Sequence, residues 1–288
     1  MTLAKILVPV RGSGRDGAAL RTAFAAARPF LAHVEALFVH SDPRETIPYV
    51  GVPLSPQVIQ DVIDSATELN KAASAAARET FARQAKEAQA RIVAVAEKST
   101  MATASWVEKT GHLTSVLEQA ALLADLIVFP PVGHGDNPDV HDALIRVLTK
   151  SGRPILLSPD EPGEELGRRV VVGWDGGMAA AHALSAALPF FGKAESVTIL
   201  SFARTKESSI APEAARAYLA LHGVSAELHT ADRGTHLVGE LLTATAGTMN
   251  ADLLVVGGYG HSHALQTIFG GVTQHIVSQP KLPVFMMH

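Results

Sequence analysis

Three apolar segments of this chain each have a partner further along, in the same order: Lys5–Val10 with Arg169–Trp174, Ala124–Phe129 with Ala251–Val256, and Arg153–Leu157 with Leu282–Met286. A chain written twice in this way must fold as two copies of one unit. Within each copy the apolar runs are short and continuous, the mark of strands buried on both faces. Ala-rich helical stretches separate them, which implies parallel strands with helices packed on each side. The predicted fold class is therefore α/β, as two tandem doubly wound parallel-sheet domains.

The first copy reads as strand 4–10, helix 16–31, strand 33–39, a Pro/Gly-rich stretch over 42–56, a long helix over 57–98, strand 103–109 and the closing units. The long helix is unusual. Leu69, Ala73, Ala76, Phe81 and Ala85 recur at spacings that give it one moderately apolar face. Some 40 residues at about 1.5 Å each would span about 60 Å, so part of it projects unless it breaks near Asn70. It reads as an elongated packing helix, with a lid or docking surface as the alternative. The second copy reads as strand 169–174, helix 178–191, strand 196–202, helix 211–222, strand 224–230, helix 235–248, strand 252–256, a glycine loop, helix 271–279 and strand 282–287. Between them, the Pro, Gly and acidic residues of 158–167 oppose regular structure and mark the boundary of domains 1–158 and 168–288.

Composition narrows the function classes. The 288 residues carry 24 basic and 28 acidic side chains, a net charge of -4, too weak a field to draw in nucleic acid or an anionic membrane. The absence of Cys excludes disulfides, thiolate catalysis and Cys-ligated zinc, and fits a reducing compartment. The run Ile6–Val10 is too short for a signal core, and no stretch reaches the length of a membrane span. The expectation is a soluble cytoplasmic protein.

The strongest local signal is the series Gly257, Gly260, Gly270, Gly271, Val272 and Thr273. It places glycines at a strand exit and at the entry of a helix that Pro280 stops. Both places expose backbone N–H groups, and a helix N-terminus adds roughly half a positive charge. Glycines also end strands and start helices for structural reasons alone, but this spacing, with Val-Thr behind it, resembles the ATP-binding signature of the universal stress protein family.

That resemblance covers both copies in strand order and implies an adenine nucleotide alpha hydrolase-like fold. It implies that Asp175, after the first strand of the second copy, contacts adenosine and that Phe202, ending the second strand, walls the adenine. By the same resemblance, Gly257, Gly260, Gly270, Gly271, Val272 and Thr273 serve the phosphates. The ligand it implies is ATP or a related adenine nucleotide, with Mg as a companion ion. Taken alone, Asp175 also reads as a helix cap or turn residue. Gly271 departs from the family's usual Ser or Thr, which forfeits a hydroxyl donor worth roughly 1.5–3 kcal/mol. In the resembling family two domains commonly pair through their last strands. A tandem chain would pair within itself, with a homodimer as a further option.

The first copy lacks the signature: Arg11 stands where Asp175 does, and Pro130 and Pro131 remove two N–H donors from its loop. It reads as a degenerate domain that does not hold ATP in the usual way. Arg11, Arg15, His40 and His134 read as solvated side chains, with an anion site as the rival reading.

Three other classes have partial support in the sequence. Gly12, Gly14 and Gly17 meet the literal dinucleotide-binding pattern, but the acidic residue that should close it comes late, at Asp42, and the second copy does not repeat it. His261, His263, His275 and His288 suggest a metal hydrolase, without a carboxylate to join them. No nucleophile elbow is present and the glycine loop lacks a P-loop Lys, so no catalytic residue is assigned. The function expected is regulatory or stress-protective nucleotide binding without turnover, with a slow ATPase as the alternative.

Overall fold

The computed structural model describes residues 3–42, 55–132, 138–202, 210–232, 237–258, 276–277 and 280–288. Its strands β1 (Lys5–Val10), β2 (His33–His40), β3 (Arg91–Ile92), β4 (Thr103–Thr110), β5 (Leu126–Phe129) and β6 (Ile155–Leu157) come from the first half. The second half supplies β7 (Arg169–Gly173), β8 (Ser196–Phe202), β9 (Glu227–Ala231), β10 (Leu253–Gly257) and β11 (Val284–Met287). All belong to one 11-stranded sheet in the order β3-β4-β2-β1-β5-β6-β11-β10-β7-β8-β9. Every neighbouring pair is parallel except β6 and β11, where Val284 faces Leu157 and Met286 faces Ile155. Each half is therefore doubly wound, with strand order reversing beside its first strand: between β1 and β5, and between β7 and β10.

The continuous apolar runs divide their side chains between two cores. Ile6, Val8, Leu156, Leu253, Val255 and Phe285 join one buried cluster, while Leu7, Ile155, Leu157, Leu254, Val256 and Met286 join the other. That is the period-2 alternation of a sheet covered on both faces. Helices α1 (Asp16–Ala27), α2 (Pro56–Glu87), α5 (Met178–Ala186), α6 (Leu188–Phe191) and α7 (Pro212–Leu221) cover the first face. Helices α3 (Leu113–Ala121), α4 (Pro138–Lys150) and α8 (Val238–Thr248) cover the second. Both cores run across the β6–β11 seam, and the ring of Phe190 meets Phe30 at 5.4 Å and Phe285 at 5.9 Å.

Helix α2 corrects two expectations. It has no break at Asn70, whose Nδ2 donates to Ser41 O, and it ends at Glu87 instead of continuing to residue 98. The stop is a Schellman motif: Gln89 N donates to Lys86 O, Ala90 N to Ala85 O, and Gln89 takes φ 55°. Glycine usually fills that left-handed position, and a Gln there leaves no stop signal in the sequence. Fully buried residues appear only from Ser74 onward; before it the helix keeps a half-buried face at Ile59, Val62, Ile63, Ala66, Thr67, Asn70 and Ala73. Glu108 on β4 anchors the later part, accepting from Trp106 Nε1 at 2.6 Å and Ser74 Oγ at 3.2 Å, with His40 Nε2 at 2.7 Å from its other oxygen. These bonds, that to His40 foremost, hold the Glu108 carboxyl below its ordinary pKa.

One glycine is dispensable on this geometry. A Cβ on Gly247, in α8, would meet nothing within 4 Å, and no left-handed φ is required there. Gly247→Ala is expected to stabilise the protein by about 0.5–1 kcal/mol, measured as a raised urea midpoint. A lowered midpoint would contradict the placement.

Candidate functional site

In an open parallel sheet the ligand crevice lies beyond the carboxyl ends of the strands, where their order reverses. In the second half that point is bounded by the turn after β7, the end of β8, the end of β10 and the N-terminus of α5. Trp174 N continues the ladder onto Leu200 O at 2.8 Å, so the register brings Asp175, in the turn past β7, level with Phe202 at the end of β8. Asp175 is exposed, and its Oδ1 accepts from Gly177 N at 2.8 Å, closing a tight turn directly before α5. Gly176, at φ 75°, supplies the left-handed step in that turn. Phe202 is half-buried, its ring packed against the second core.

The turn is held from outside as well. Trp174 Nε1 donates to Ile210 O at 2.9 Å, and Ile210 N donates to Gly176 O at 3.2 Å, so the chain entering α7 is fastened across it. Nothing in the local sequence around Ile210 signals this role.

Gly257 lies on the β10–β11 ladder opposite Met287. Its missing side chain has a packing cause: a Cβ there would sit 2.6 Å from Ala180 N and 2.7 Å from Ala179 C, so α5 can approach β10 only over a glycine. Gly258, which the sequence reading passed over, is equally committed. Its N–H donates to Met287 O at 2.8 Å, and a Cβ would meet Leu148 Cδ2 of the first half at 2.9 Å. His288 Nδ1 donates to Gly258 O and His182 Nδ1 donates to His288 O, each at 3.0 Å. A carbonyl can only accept, which fixes the donor in both bonds. His288 thus locks the loop entrance to α5. Gly260, Gly270, Gly271, Val272 and Thr273 lie outside the described residues, as do His261, His263, His275 and most of the predicted helix 271–279. No group of three or more His, Asp or Glu side chains among the described residues could hold a metal ion.

The matching point of the first half is built differently. Asp16, buried at the start of α1, accepts from Arg11 N at 2.9 Å, Gly12 N at 2.7 Å and Ser13 Oγ at 2.8 Å. Its own carboxylate fills the amide nest that a phosphate would use, and burial pushes its pKa up against these bonds. The dinucleotide-like glycines have another purpose too. A Cβ on Gly12 would lie 2.4 Å from Ala73 O, so α2 covers the backbone that a pyrophosphate would have to approach.

The reading of Arg11 as a solvated side chain needs correction; Arg15 and His40 stay partly exposed but have protein partners. Arg11 Nη1 is buried with no hydrogen-bond partner among the described residues, Arg15 Nη1 donates to Pro131 O at 3.1 Å, and His40 is bonded to Glu108. At the end of β1 the tip of Arg11 is turned inward, which a one-dimensional pattern cannot show. His134 lies outside the described residues.

With this geometry in place, residues 167–288 match the model of the Universal stress protein family. Among solved structures, a universal stress protein from Archaeoglobus fulgidus DSM 4304 is similar over 98% of this chain and 95% of its own, at TM-score 0.66 and 15% identity. A functionally unknown protein from Pseudomonas aeruginosa PAO1 is similar over 99% and 92%, at TM-score 0.57 and 19% identity. A putative universal stress protein from Pseudomonas aeruginosa UCBPP-PA14 covers 99% and 93%, at 0.57 and 18%. At these identities the structural likeness speaks for the fold. No curated protein matches the chain. No helix among the described residues is long and apolar enough to cross a membrane.

Proposed function

We propose that this chain, whose residues 167–288 match the universal stress protein family, is a tandem member that binds ATP or a related adenine nucleotide in its second half as a regulatory, stress-protective ligand. The observation that carries the reading is the register that brings Asp175, two residues past β7, level with Phe202, the last residue of β8, beside the strand-order reversal. An exposed carboxylate can accept from the adenine amino group or ribose hydroxyls, and a neighbouring ring can stack on the base. Gly257 brings the N-terminus of α5 against the same crevice. The Gly258 amide is already used by Met287, so phosphate donors must come from residues further along the glycine series, with Mg as the companion ion. Described side chains therefore suit the nucleoside end, and the phosphate end rests on the sequence signature.

Binding without turnover fits the lack of a Lys in that loop, since P-loop enzymes place one on the outer phosphates. Occupancy would stabilise the fold in proportion to the logarithm of ligand concentration over its dissociation constant.

Calorimetric titration with ATP tests this. Phe202→Ala is expected to weaken binding about tenfold through lost stacking, and Asp175→Ala about 10- to 100-fold through lost charged hydrogen bonds. Asp175→Ala also removes the acceptor for Gly177 N, a cost of about 1 kcal/mol in stability, so affinity is read well below both thermal midpoints. Wild-type affinity in both variants would contradict the site.

A further inference from the structure

The contacts between the start of α1 and the middle of α2 fix which side chains meet further along. A Cβ on Gly12 would lie 2.4 Å from Ala73 O, and one on Gly17 would lie 3.8 Å from Thr80 Cγ2. The two segments thus run in the same direction, and one more helical turn on each brings Arg21 of α1 beside Gln84 of α2. There Arg15, Arg21, Arg83, Gln84 and Asp160 line a hollow of about 280 Å³, with Gly14 and Gly17 leaving it room. We propose that this hollow binds a dianionic phosphate group, as inorganic phosphate or as the phosphate of a small monoester.

Gln84 is the first reason. It is only 7% exposed, yet its side-chain amide makes no hydrogen bond among the described residues. Its amide atoms are not among the fully enclosed ones left without a partner, so the part of Gln84 that stays accessible includes the amide, and it opens into the hollow. A polar group held in so buried a place is costly to leave unmade, and its partner has to enter from the hollow.

The second reason is charge. Arg21 and Arg83 have neither a hydrogen bond nor an ion pair for their guanidinium groups among the described residues. Glu79 and Glu87, a turn to either side of Arg83 on α2, are exposed and form no ion pair with it. Asp160 is paired with Arg15, 3.7 Å from its Nε, and Asp16 faces away, onto the Arg11 and Gly12 amides. The lining carries three cations and one anion, a surplus of two positive charges. A carboxylate would match one guanidinium and leave the other, whereas a phosphate dianion matches both. Two planar forks on adjacent helices can each take one edge of the phosphate, and the Gln84 NH2 can donate to a further oxygen.

The test is calorimetric titration of the whole chain, in buffer free of phosphate and sulfate, with inorganic phosphate, glycerol phosphate and dimethyl phosphate. Phosphate or glycerol phosphate should bind one site per chain with Kd below about 1 mM; the tighter of the two identifies the free ion or a monoester as the occupant. The monoanionic diester should bind about tenfold more weakly or worse. Arg21→Met and Arg83→Met each keep the stem and remove one charge, and each should weaken binding of the dianion about tenfold. Gln84→Leu keeps the bulk and removes the amide, and should weaken it about fivefold. Arg78→Met is the control, an equal loss of charge at an exposed position of α2 outside the lining, and should bind as the wild type does. Absence of saturable binding by both dianions, equal binding of the diester, or the same loss in Arg78→Met as in Arg83→Met would each overturn the proposal. Asp175→Ala should keep its affinity for the dianion, and Arg83→Met its affinity for ATP. Loss of dianion binding in Asp175→Ala would place it in the nucleotide crevice, overturning this second site while leaving the proposed function standing.

Discussion

Gly12→Ala should destabilise the protein by about 4 kcal/mol, the sum of two costs at one position. Gly12 sits at φ 77°, where a Cβ brings strain of about 1–3 kcal/mol. The same Cβ would lie 2.4 Å from Ala73 O and 2.8 Å from Ala73 Cα. Those atoms belong to the backbone of α2 and cannot swing aside, so the helix must lift, at an overpacking cost of about 1–3 kcal/mol. Lifting also strains the Ser74–Glu108 contact one residue on. Urea unfolding and limited proteolysis both read the effect, as a lowered midpoint and faster cleavage within α2. If Gly12 instead served the approach of a dinucleotide, Ala would cost little stability; a loss under about 1 kcal/mol would contradict the docking of α2 over this turn.

Gly257→Ala is the second large effect, at about 2–3 kcal/mol. The added carbon would press on Ala180 N at 2.6 Å and Ala179 C at 2.7 Å, forcing α5 away from β10. Because α5 begins at Met178, directly after the turn that Asp175 closes onto Gly177, the displacement reaches the crevice. Stability and ATP affinity should therefore fall together. Gly14→Ala is the control, since a Cβ there meets nothing within 4 Å. A Gly257→Ala variant with wild-type stability would show that α5 does not approach as closely as described.

The repeat in the sequence is what made the fold legible. The apolar runs at Lys5–Val10, Ala124–Phe129 and Ala251–Val256 became β1, β5 and β10 within a residue or two, because strands buried on both faces leave an unbroken hydrophobic signal. What escaped was set by tertiary contacts. The end of α2 is a Schellman motif with Gln89 in place of glycine, and β3 is a two-residue strand whose side chains are exposed, too short to show a period. At the candidate site, the places of Asp175 just past β7 and Phe202 at the end of β8 were legible, while the roles proposed for them rest on the family resemblance. The reason for Gly257 was not, since it lies in helix atoms some 77 residues earlier in the chain. Nor could sequence show that Asp16 fills the first amide nest, or that the tip of Arg11 is turned inward. A side chain's burial depends on what packs over it.

On the proposed function, the second half holds the adenine nucleotide and the first half does not. Hydrogen–deuterium exchange with and without ATP tests it most directly, because amides that grip a ligand or are covered by it exchange more slowly. Slowed exchange is expected in peptides spanning 173–178 and 257–277, with 9–17 and 129–132 unchanged. Slowed exchange confined to the first-half peptides, or in none of them at saturating ATP, would contradict it.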